Sequence, residues 1–484
     1  MELEKLYPER VFHYFREISK IPRGSGNEKE ISDYLVKFAK DHNLYVYQDE
    51  KYNILIRKEA TKGYKKYKPI ALQGHMDMVC EKNKDVEFDF EKDEIKILVK
   101  DGFLVADGTT LGADNGICVA MVLSILESNE IKHPKLEILL TTDEEVGMSG
   151  AIFFDVSKLE SDILVNVDSE QYGTICVSSA GCARVRTMID FEMEEIINKD
   201  KIYSLELKGL SGGHSGADIN ENKANANKIL NEIIRRLSIT KDVNIIDFNG
   251  GNKNNTIPRE SHAHIVCDEN FETVNEIVQM AMDSLSYEYK ESESTMQVIV
   301  EKIEYTGQKQ MTISSTYKFM QYISGYLTGV IRKSKDIENL IQTSLNLGVV
   351  ELNNGHLMIN TLVRSAILKE QNDLCDYVVE YGNKFGGESI IDDTANPWEY
   401  KKDSKIRDYF AKVFKEQTGQ YPKIEAIHAG LECGIFYESN DKLDIISIGP
   451  DIKNPHTPDE RMSISAVAQT WEFLLKVLEE YTIV

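Results

Sequence analysis

Four short apolar segments, each followed by acids or a histidine, constrain this 484-residue chain more than any other feature. Short apolar runs bounded by turn residues are typical of buried strands. In open α/β sheets, binding sites form just beyond the carboxyl ends of the strands. The segments end near Leu72, Leu140, Val167 and Ile448. The polar residues that follow them are, in order, His75 and Asp77; Asp143, Glu144 and Glu145; Asp168; and, after a short loop, His456. Acids gathered at one sheet edge repel one another unless a cation neutralises them, so the pattern predicts a multivalent metal site.

The donor types narrow the choice of metal. Two histidines and several carboxylates, without sulfur, suit zinc and also manganese or cobalt. A further acid, Asp114, lies in the glycine-containing loop 107–116 at the predicted start of a helix. By itself Asp114 fits a plain helix N-cap. Beside the strand-end groups, we favour a ligand that bridges two metal ions.

Two local pairs have a chemical logic of their own. Residues two apart on an extended segment face the same side, so Asp77 can accept a hydrogen bond from His75 and orient it. Adjacent Glu144 and Glu145 cannot easily point the same way, so one can bind metal while the other is a general base toward a bound water. Neither pair is distinctive alone. Most His-x-Asp sequences are incidental, and an isolated Glu-Glu pair normally lies on the solvated surface.

The order of helical and strand patterns predicts an α/β fold with an insertion. Strands alternate with helices in the first part, which indicates a catalytic domain with a mostly parallel sheet flanked by helices. The middle has the pattern of an inserted α+β lid domain and includes the hairpin signal Asn353-Asn354-Gly355. The predicted domains are residues 1–181 and 387–484 for the catalytic domain and 182–386 for the lid.

Charge and targeting signals limit the partners. With 80 acidic and 56 basic residues, the net charge is −24, which argues against nucleic acid and against an anionic membrane surface. The charged N-terminus lacks the apolar core of a signal peptide, and the longest strongly apolar stretch, Ile117 to Leu126, falls short of the roughly 20 residues that span a bilayer. Seven cysteines are scattered without a Cys-x-x-Cys pair, as expected for a reduced, cytoplasmic protein.

Seven segments together resemble a known family. They are Leu72–Val79, Gly112–Gly116, Thr142–Gly147, Asn166–Glu170, Ser211–Gly216, His428–Gly434 and Pro455–Glu460. In this order the motifs are similar to those of the co-catalytic zinc peptidases, which include carboxypeptidases, tripeptidases and acylases with a lid domain. The resemblance covers essentially the whole chain and is closest to the dipeptidases of that family that act on Xaa-His peptides.

The resemblance implies a ligand set for two divalent metal ions, with zinc as the expected metal and manganese or cobalt as options. It implies that His75 and Asp168 bind one ion, that Glu145 and His456 bind the other, and that Asp114 bridges them.

The resemblance also implies roles for six further residues. Asp77 would orient a ligand, and Glu144 would be the general base toward a metal-bridged water. His214 in the lid would polarise the scissile carbonyl or steady its oxyanion. The residues implied to hold the carboxylate end of the substrate are Asn255, Arg364 and Gly430.

The expected function is hydrolysis of dipeptides, of the Xaa-His type or more broadly, with the lid as a surface for a homodimer. Two alternatives stay open. An amidase or deacylase acting on N-acyl amino acids could use the same scaffold with a different pocket. A non-catalytic metal-binding protein is disfavoured by the intact Glu144, because such a protein has no use for a base.

Overall fold

The computed structural model describes residues 3–335, 337 and 340–484. The chain forms two compact units. The first consists of the segment up to Ser179 with Trp398–Ala426 and Leu431–Val484, and the second of Ala180–Pro397 with Ile427–Gly430. The assignment of residues 182–386 as a lid domain stays a prediction.

The first unit is built on an eight-stranded sheet. Its strands lie in the order Tyr45–Gln48, Ile54–Lys58, Leu136–Thr141, Ile70–His75, Ile163–Asn166, Asp444–Ser447, Thr174–Ser179 and Lys423–Ile427.

The four central strands of this sheet, from Leu136–Thr141 to Asp444–Ser447, are parallel. They are buried along almost their whole length, as parallel strands covered on both faces must be, and their continuous apolar sequences follow from that burial. The flanking strands Ile54–Lys58 and Thr174–Ser179 pair antiparallel with them. The α/β class is confirmed, and the antiparallel flanks make the sheet mixed.

A smaller antiparallel sheet completes the first unit. Its four strands, in order, are Ile452–Lys453, Arg461–Ser463, Phe103–Ala106 and Ile97–Lys100. Pairing of Arg461–Ser463 with Phe103–Ala106 places the chain before Arg461 beside the loop that follows Ala106. Two segments that are far apart in sequence, and that carry His456 and Asp114, are thereby brought together.

Helices cover the first unit's sheet. They are Glu9–Ile18, Lys29–Asp41, Ala113–Glu127, Glu144–Gly147, Ser149–Phe153, Lys405–Thr418, Glu432–Ser439 and Ile464–Glu479, with 3-10 turns at Leu3–Lys5 and Val156–Lys158. Ala113–Glu127 is apolar on all sides and packs against the helix Glu9–Ile18 and the strand Ile70–His75, as expected of a buried helix. None of the described helices combines the length and the apolarity needed to cross a membrane.

The second unit is an α+β structure. Eight strands of its nine-stranded sheet run in the order Gln297–Lys302, Ile202–Lys208, Ser261–Cys267, Val243–Gly250, Ile341–Asn353, His356–Ser365, Gly181–Asp190 and Glu388–Ala395, and Gly329–Lys333 pairs with Ile341–Asn353. Two-stranded sheets pair Met193–Glu195 with Lys309–Met311 and Gly213–His214 with Thr256–Ile257. The helices are Ala226–Thr240, Phe271–Glu288, Ile313–Gly325 and Leu368–Lys384.

The apolar core of this unit lies between the sheet and these helices. Asn353 pairs with His356 across the predicted hairpin. Its two turn residues, Asn354 and Gly355, have φ values of 51° and 80°, the conformation that Asn-Gly turns favour.

Candidate active site

The acids and histidines that follow the apolar segments meet at one edge of the first unit's large sheet. His75 ends the strand Ile70–His75, and Glu144 and Glu145 begin a short helix after Leu136–Thr141. Asp168 follows the strand Ile163–Asn166 by two residues. Asp114 is the second residue of the helix Ala113–Glu127. His456 lies between the two strands at the edge of the small sheet.

The distances define two groups of donor atoms. His75 Nε2 lies 3.1 Å from Asp114 Oδ1 and 3.6 Å from Asp168 Oδ1. His456 Nε2 lies 3.1 Å from Asp114 Oδ2 and 2.9 Å from Glu145 Oε2. In each group, the candidate ligand atoms lie within 4.8 Å of one another, and His75, Glu144 and Glu145 form a third combination within the same distance. Asp114 belongs to both groups and turns one oxygen toward each histidine.

The electrostatics of these groups fit divalent cations. Glu145 Oε1 and Asp168 Oδ1 are buried without a hydrogen-bond partner in the described part of the chain, and such atoms are costly unless something binds them. Burial raises the pKa of Asp168 to about 7. Hydrogen bonds to Asp114 and Glu145 raise the pKa of His456 to about 11. Two imidazoles with carboxylates and no thiol form a donor set suited to zinc, manganese or cobalt.

Asp77 connects His75 to the turn that carries the two glutamates. Its Oδ1 lies 3.3 Å from His75 Nδ1. The same carboxylate accepts hydrogen bonds from the backbone N–H groups of Glu144 at 3.1 Å and Glu145 at 3.3 Å. The Ser25 hydroxyl donates to its other oxygen at 2.8 Å. Asp77 is therefore placed to orient the imidazole and to fix the position of the Glu144-Glu145 turn.

Glu144 is one of several acids of this region whose pKa is raised, together with Asp168 and Glu432. Burial raises the pKa of its carboxyl well above the ordinary range, against the lowering effect of the His75 charge and with a further rise from Asp168. A carboxylate with a raised pKa both accepts a proton from water and gives it up to a departing amine.

Glu460 is a residue of this site to which sequence reasoning gave no role. Its buried carboxylate accepts hydrogen bonds from four consecutive backbone N–H groups: Leu111 and Gly112 at 2.7 and 3.0 Å, and Ala113 and Asp114 at 2.8 and 3.3 Å. These N–H groups open the helix that carries Asp114, where a negative charge is favourable. Glu460 therefore holds the backbone of Asp114 in place.

Arg23 is a second residue that sequence reasoning missed. Its buried guanidinium donates to the carbonyl oxygens of Met76 at 3.1 Å, Asp77 at 3.2 Å and Gly112 at 2.6 Å. Gly112 has φ +68°, and a Cβ there would lie 2.5 Å from Arg23 Nη2. The sequence around Arg23 offers one local signal, because Gly24 and Gly26 follow it with Ser25 between them.

The lid candidates lie in the second unit, so the structure groups them separately. His214 Nδ1 accepts backbone N–H groups from Ala217 at 3.1 Å and Gly216 at 3.3 Å. A neutral imidazole with an accepting Nδ1 carries its proton on Nε2. Nε2 lies 3.5 Å from Arg364 Nη2. Burial and the Arg364 charge lower the pKa of His214, so a neutral imidazole lies beside the guanidinium in the second unit.

The remaining candidates, Asn255 and Gly430, belong to the same unit. Asn255 accepts a hydrogen bond at its carbonyl from Ser215 N, 2.9 Å away. Gly430 belongs to the short segment Ile427–Gly430 of the same unit. In that segment, His428 Nε2 lies 2.7 Å from Ser344 Oγ. Burial, and next the charge of Arg364, lower the pKa of His428 to about 3, so this imidazole is neutral. Its motif was recognised in the sequence, but its contact with Ser344 was not.

Known proteins match the chain over its whole length. A family model of peptidase family M20/M25/M40 matches residues 71–480. The cytosol non-specific dipeptidase of Escherichia coli (strain K12) is 35% identical over 480 residues, which is 99% of each protein. The crystal structure of aminoacylhistidine dipeptidase from Vibrio alginolyticus superposes with a TM-score of 0.93 at 34% identity, and the match covers 100% of this chain and 99% of that chain.

A more distant structure shares the fold alone. The aminopeptidase PepT from Bacillus cereus is 18% identical, with a TM-score of 0.57, and the match covers 98% of this chain and 99% of that chain.

Proposed function

Since the chain belongs to peptidase family M20/M25/M40, as its motifs indicated, we propose that it is a metal-dependent dipeptidase with two divalent ions, most simply zinc. The observation that carries the proposal is the position of Asp114, whose two oxygens lie 3.1 Å from His75 Nε2 and 3.1 Å from His456 Nε2. One ion would be held by His75, Asp168 and Asp114, and the other by Glu145, His456 and Asp114. When bound, such a pair of ions lowers the pKa of water and polarises the scissile carbonyl.

The acids of the first unit supply the proton transfers. Glu144 takes the proton of the attacking water and returns it to the departing amine. The hydrogen bond from Glu144 N to Asp77 fixes the turn on which this base sits. Asp77 acts through His75 and through this turn, so we assign it as a positioning residue and not as a proton carrier.

The second unit supplies donors for the substrate. We propose that His214 donates its Nε2 proton to the oxyanion as the tetrahedral intermediate forms. Arg364, aided by Asn255 and Gly430, would bind the carboxylate end. The adjacent positions of the Arg364 and His214 donors support this assignment. The unit would then be a lid that completes the site when substrate is bound, either in its own subunit or in that of a homodimer partner.

The substrate class we propose is short peptides with a free N-terminus, with Xaa-His dipeptides among them. Acidic side chains at the site suit a protonated amine, and the names of the two full-length relatives support a dipeptide substrate. The word cytosol in one of those names supports a cytoplasmic location. An amidase or deacylase on the same scaffold would instead prefer an N-acylated amine.

One assay series tests these proposals. The purified protein, stripped of metal and reloaded with zinc, manganese or cobalt, is assayed on a dipeptide panel that includes Xaa-His peptides and on matching N-acyl amino acids. Metal is counted by elemental analysis. About two ions per chain and cleavage of the dipeptides are expected. Exclusive hydrolysis of N-acyl amino acids would replace the dipeptidase with the deacylase, and metal binding without turnover would leave a binding protein.

A substitution assigns the base. Glu144→Gln keeps the volume but removes the proton acceptor, so turnover should fall by at least about 100-fold while metal content stays at the wild-type value. Glu130→Gln, at an exposed position, is the control. Loss of metal in Glu144→Gln would mean that Glu144 is a ligand and that Glu145 is the base.

A further inference from the structure

A row of hydrogen-bonded side chains crosses the four parallel strands just below the candidate metal ligands. Ser447 Oγ donates to Asn166 Oδ1 at 2.5 Å, and Asn166 Nδ2 donates to Gln73 Oε1 at 2.7 Å. Gln73 Nε2 and Thr141 Oγ1 both donate to Glu432 Oε2, at 2.6 and 2.9 Å. We call these five residues the strand-end ladder. All five are fully buried.

The strand-end ladder follows the order of the sheet. Its first four members come from four neighbouring parallel strands, and Gln73, Asn166 and Ser447 lie at paired positions of their strands. Three of the members, Thr141, Asn166 and Ser447, are the last residues of their strands. The ladder therefore ties together the points at which the chain leaves the sheet toward the site.

The distance in sequence from ladder to ligand is short on three of these strands. Gln73 precedes His75 by two residues, and Asn166 precedes Asp168 by two. Thr141 precedes the Glu144-Glu145 turn by three residues. A shift of any one strand end would carry its ligand with it. Metal sites need their ligands held within about 0.5 Å of the productive geometry.

Glu432 gives the ladder its direction. The side-chain amides of Gln73 and Asn166 each accept through the oxygen and donate through the nitrogen. By itself, an amide could form such a chain of hydrogen bonds with its oxygen and nitrogen in either orientation. Glu432 Oε2 accepts two hydrogen bonds and so fixes the sense in which Gln73, and next Asn166, must point. Glu432 Oε1 has no hydrogen-bond partner among the described residues, so the ladder ends on Oε2 alone.

We propose that Glu432 is a positioning residue that, through the strand-end ladder, sets the spacing of the metal ligands carried by three strands. It acts through Gln73 and Thr141, the side chains to which it is hydrogen-bonded, and its effect is on metal affinity and kcat. This inference rests on the proposed function in that it takes the strand-end groups as metal ligands.

The test compares Glu432→Ala with Glu137→Ala, which removes a matched buried acid at the other end of the strand Leu136–Thr141 from Thr141. Glu137, also fully buried, lies near the start of Leu136–Thr141. It accepts hydrogen bonds from Arg57 Nε and from the N–H groups of Glu160 and Ser161, each at 2.8 Å. Glu137→Ala therefore removes a comparable set of buried hydrogen bonds far from the ligands.

Four quantities are measured on wild type and variants. They are the free energy of unfolding of the metal-free protein, zinc affinity by competition with a chromophoric chelator, the visible absorption of the cobalt-loaded protein, and kcat with KM. Both alanine variants should lose stability. Glu432→Ala alone should lose about 10–100-fold in metal affinity, with a changed cobalt spectrum and a lower kcat at similar KM. Glu137→Ala should keep wild-type affinity and spectrum.

A conservative variant provides the rescue. Glu432→Gln can keep an oxygen at the position of Oε2 and place its nitrogen where Oε1 has no partner, so affinity and spectrum should return toward wild type. If Glu432→Ala does not fold, Thr141→Val removes one donor onto Glu432 with little change of shape. It should weaken metal binding in the same direction.

Two results would overturn the inference: equal metal affinity in the Glu432→Ala and Glu137→Ala variants, or unchanged affinity in a folded Thr141→Val. Failure of the wild type to bind divalent metal would instead overturn the proposed function. The two failures are distinguishable. The first concerns the metal affinity of the variants relative to wild type, and the second concerns the metal affinity of the wild type itself.

Discussion

Replacing Glu460 with glutamine perturbs the loop that carries Asp114 without changing side-chain volume. The native carboxylate accepts two N–H groups on each oxygen, those of Leu111 and Gly112 on Oε2 and those of Ala113 and Asp114 on Oε1. Glutamine keeps one accepting oxygen. Its nitrogen is a donor and must face two backbone donors that no longer have an acceptor.

The expected loss in the free energy of unfolding follows from the number of backbone donors left without an acceptor. A buried donor left without an acceptor costs about 1–3 kcal/mol, so two of them cost about 2–6 kcal/mol. The two remaining hydrogen bonds are also weakened, because their acceptor is no longer charged. Total stabilities of about 5–15 kcal/mol are usual for proteins, so Glu460→Gln should be among the most destabilising isosteric changes in the first unit.

The assay is urea unfolding of the metal-free protein, which gives the free energy of unfolding and its slope with denaturant. Glu479→Gln is the matched control, because Glu479 pairs with Lys132 at 2.9 Å on the exposed surface, where a substitution changes stability by no more than about 0.5 kcal/mol. Metal affinity is then measured by chelator competition. Since the loop positions Asp114, affinity should fall together with stability.

The reasoning about Glu460 fails if the substitution costs less than about 1 kcal/mol and leaves metal affinity at the wild-type value. A loss of stability with unchanged metal affinity would separate the effect of Glu460 on folding from its effect on metal binding. In that case the carboxylate would stabilise the helix start without fixing the position of Asp114.

Three further predictions concern other parts of the molecule. His214→Ala should lower kcat more than it raises KM, because its donor is used mainly in the transition state; steady-state kinetics on one dipeptide check this, and an unchanged kcat would refute it. The hydrogen bond to Asp247 raises the pKa of His264. This hydrogen bond therefore stabilises the fold at pH values below the unfolded-state pKa of about 6.5, and the contribution is lost as the pH rises through the folded-state pKa. NMR titration should show a lower His264 pKa in Asp247→Asn. Re-adding zinc to the chelated protein should raise its Tm, because ions that bind the folded state stabilise it, and no change in Tm would count against the metal site.

The strand ends that carry the candidate ligands were predictable because buried parallel strands are encoded locally. Apolar runs such as Ile70–Leu72 and Ile163–Val165 are typical of strands covered on both faces, so these strands and their ends can be recognised in the sequence alone. The hairpin at Asn354-Gly355 was predictable for a similar reason, because its turn chemistry is local. The antiparallel flank Ile54–Lys58 was not predicted, since nothing within the strand specifies its direction of pairing.

The convergence of the site depends on contacts that no local pattern contains. His75 and Asp168 could be placed at one sheet edge, but the contact of both His75 and His456 with Asp114 requires the small sheet to bring residue 456 beside residue 114. Their roles as metal ligands stay a prediction, which metal titration of the purified protein can test.

Glu460 shows why the supporting residues were harder to find than the candidate ligands. It adjoins Asp459, an acid of nearly the same chemistry, within one motif. Asp459 is exposed and Glu460 is buried, because only Glu460 meets the free N–H groups at the start of a helix whose sequence lies about 350 residues earlier. A ligand can be recognised by its residue type and its position at a strand end. A residue that holds a ligand is recognised only by its partners, and the Glu460 substitution therefore tests the part of the site that only the structure could supply.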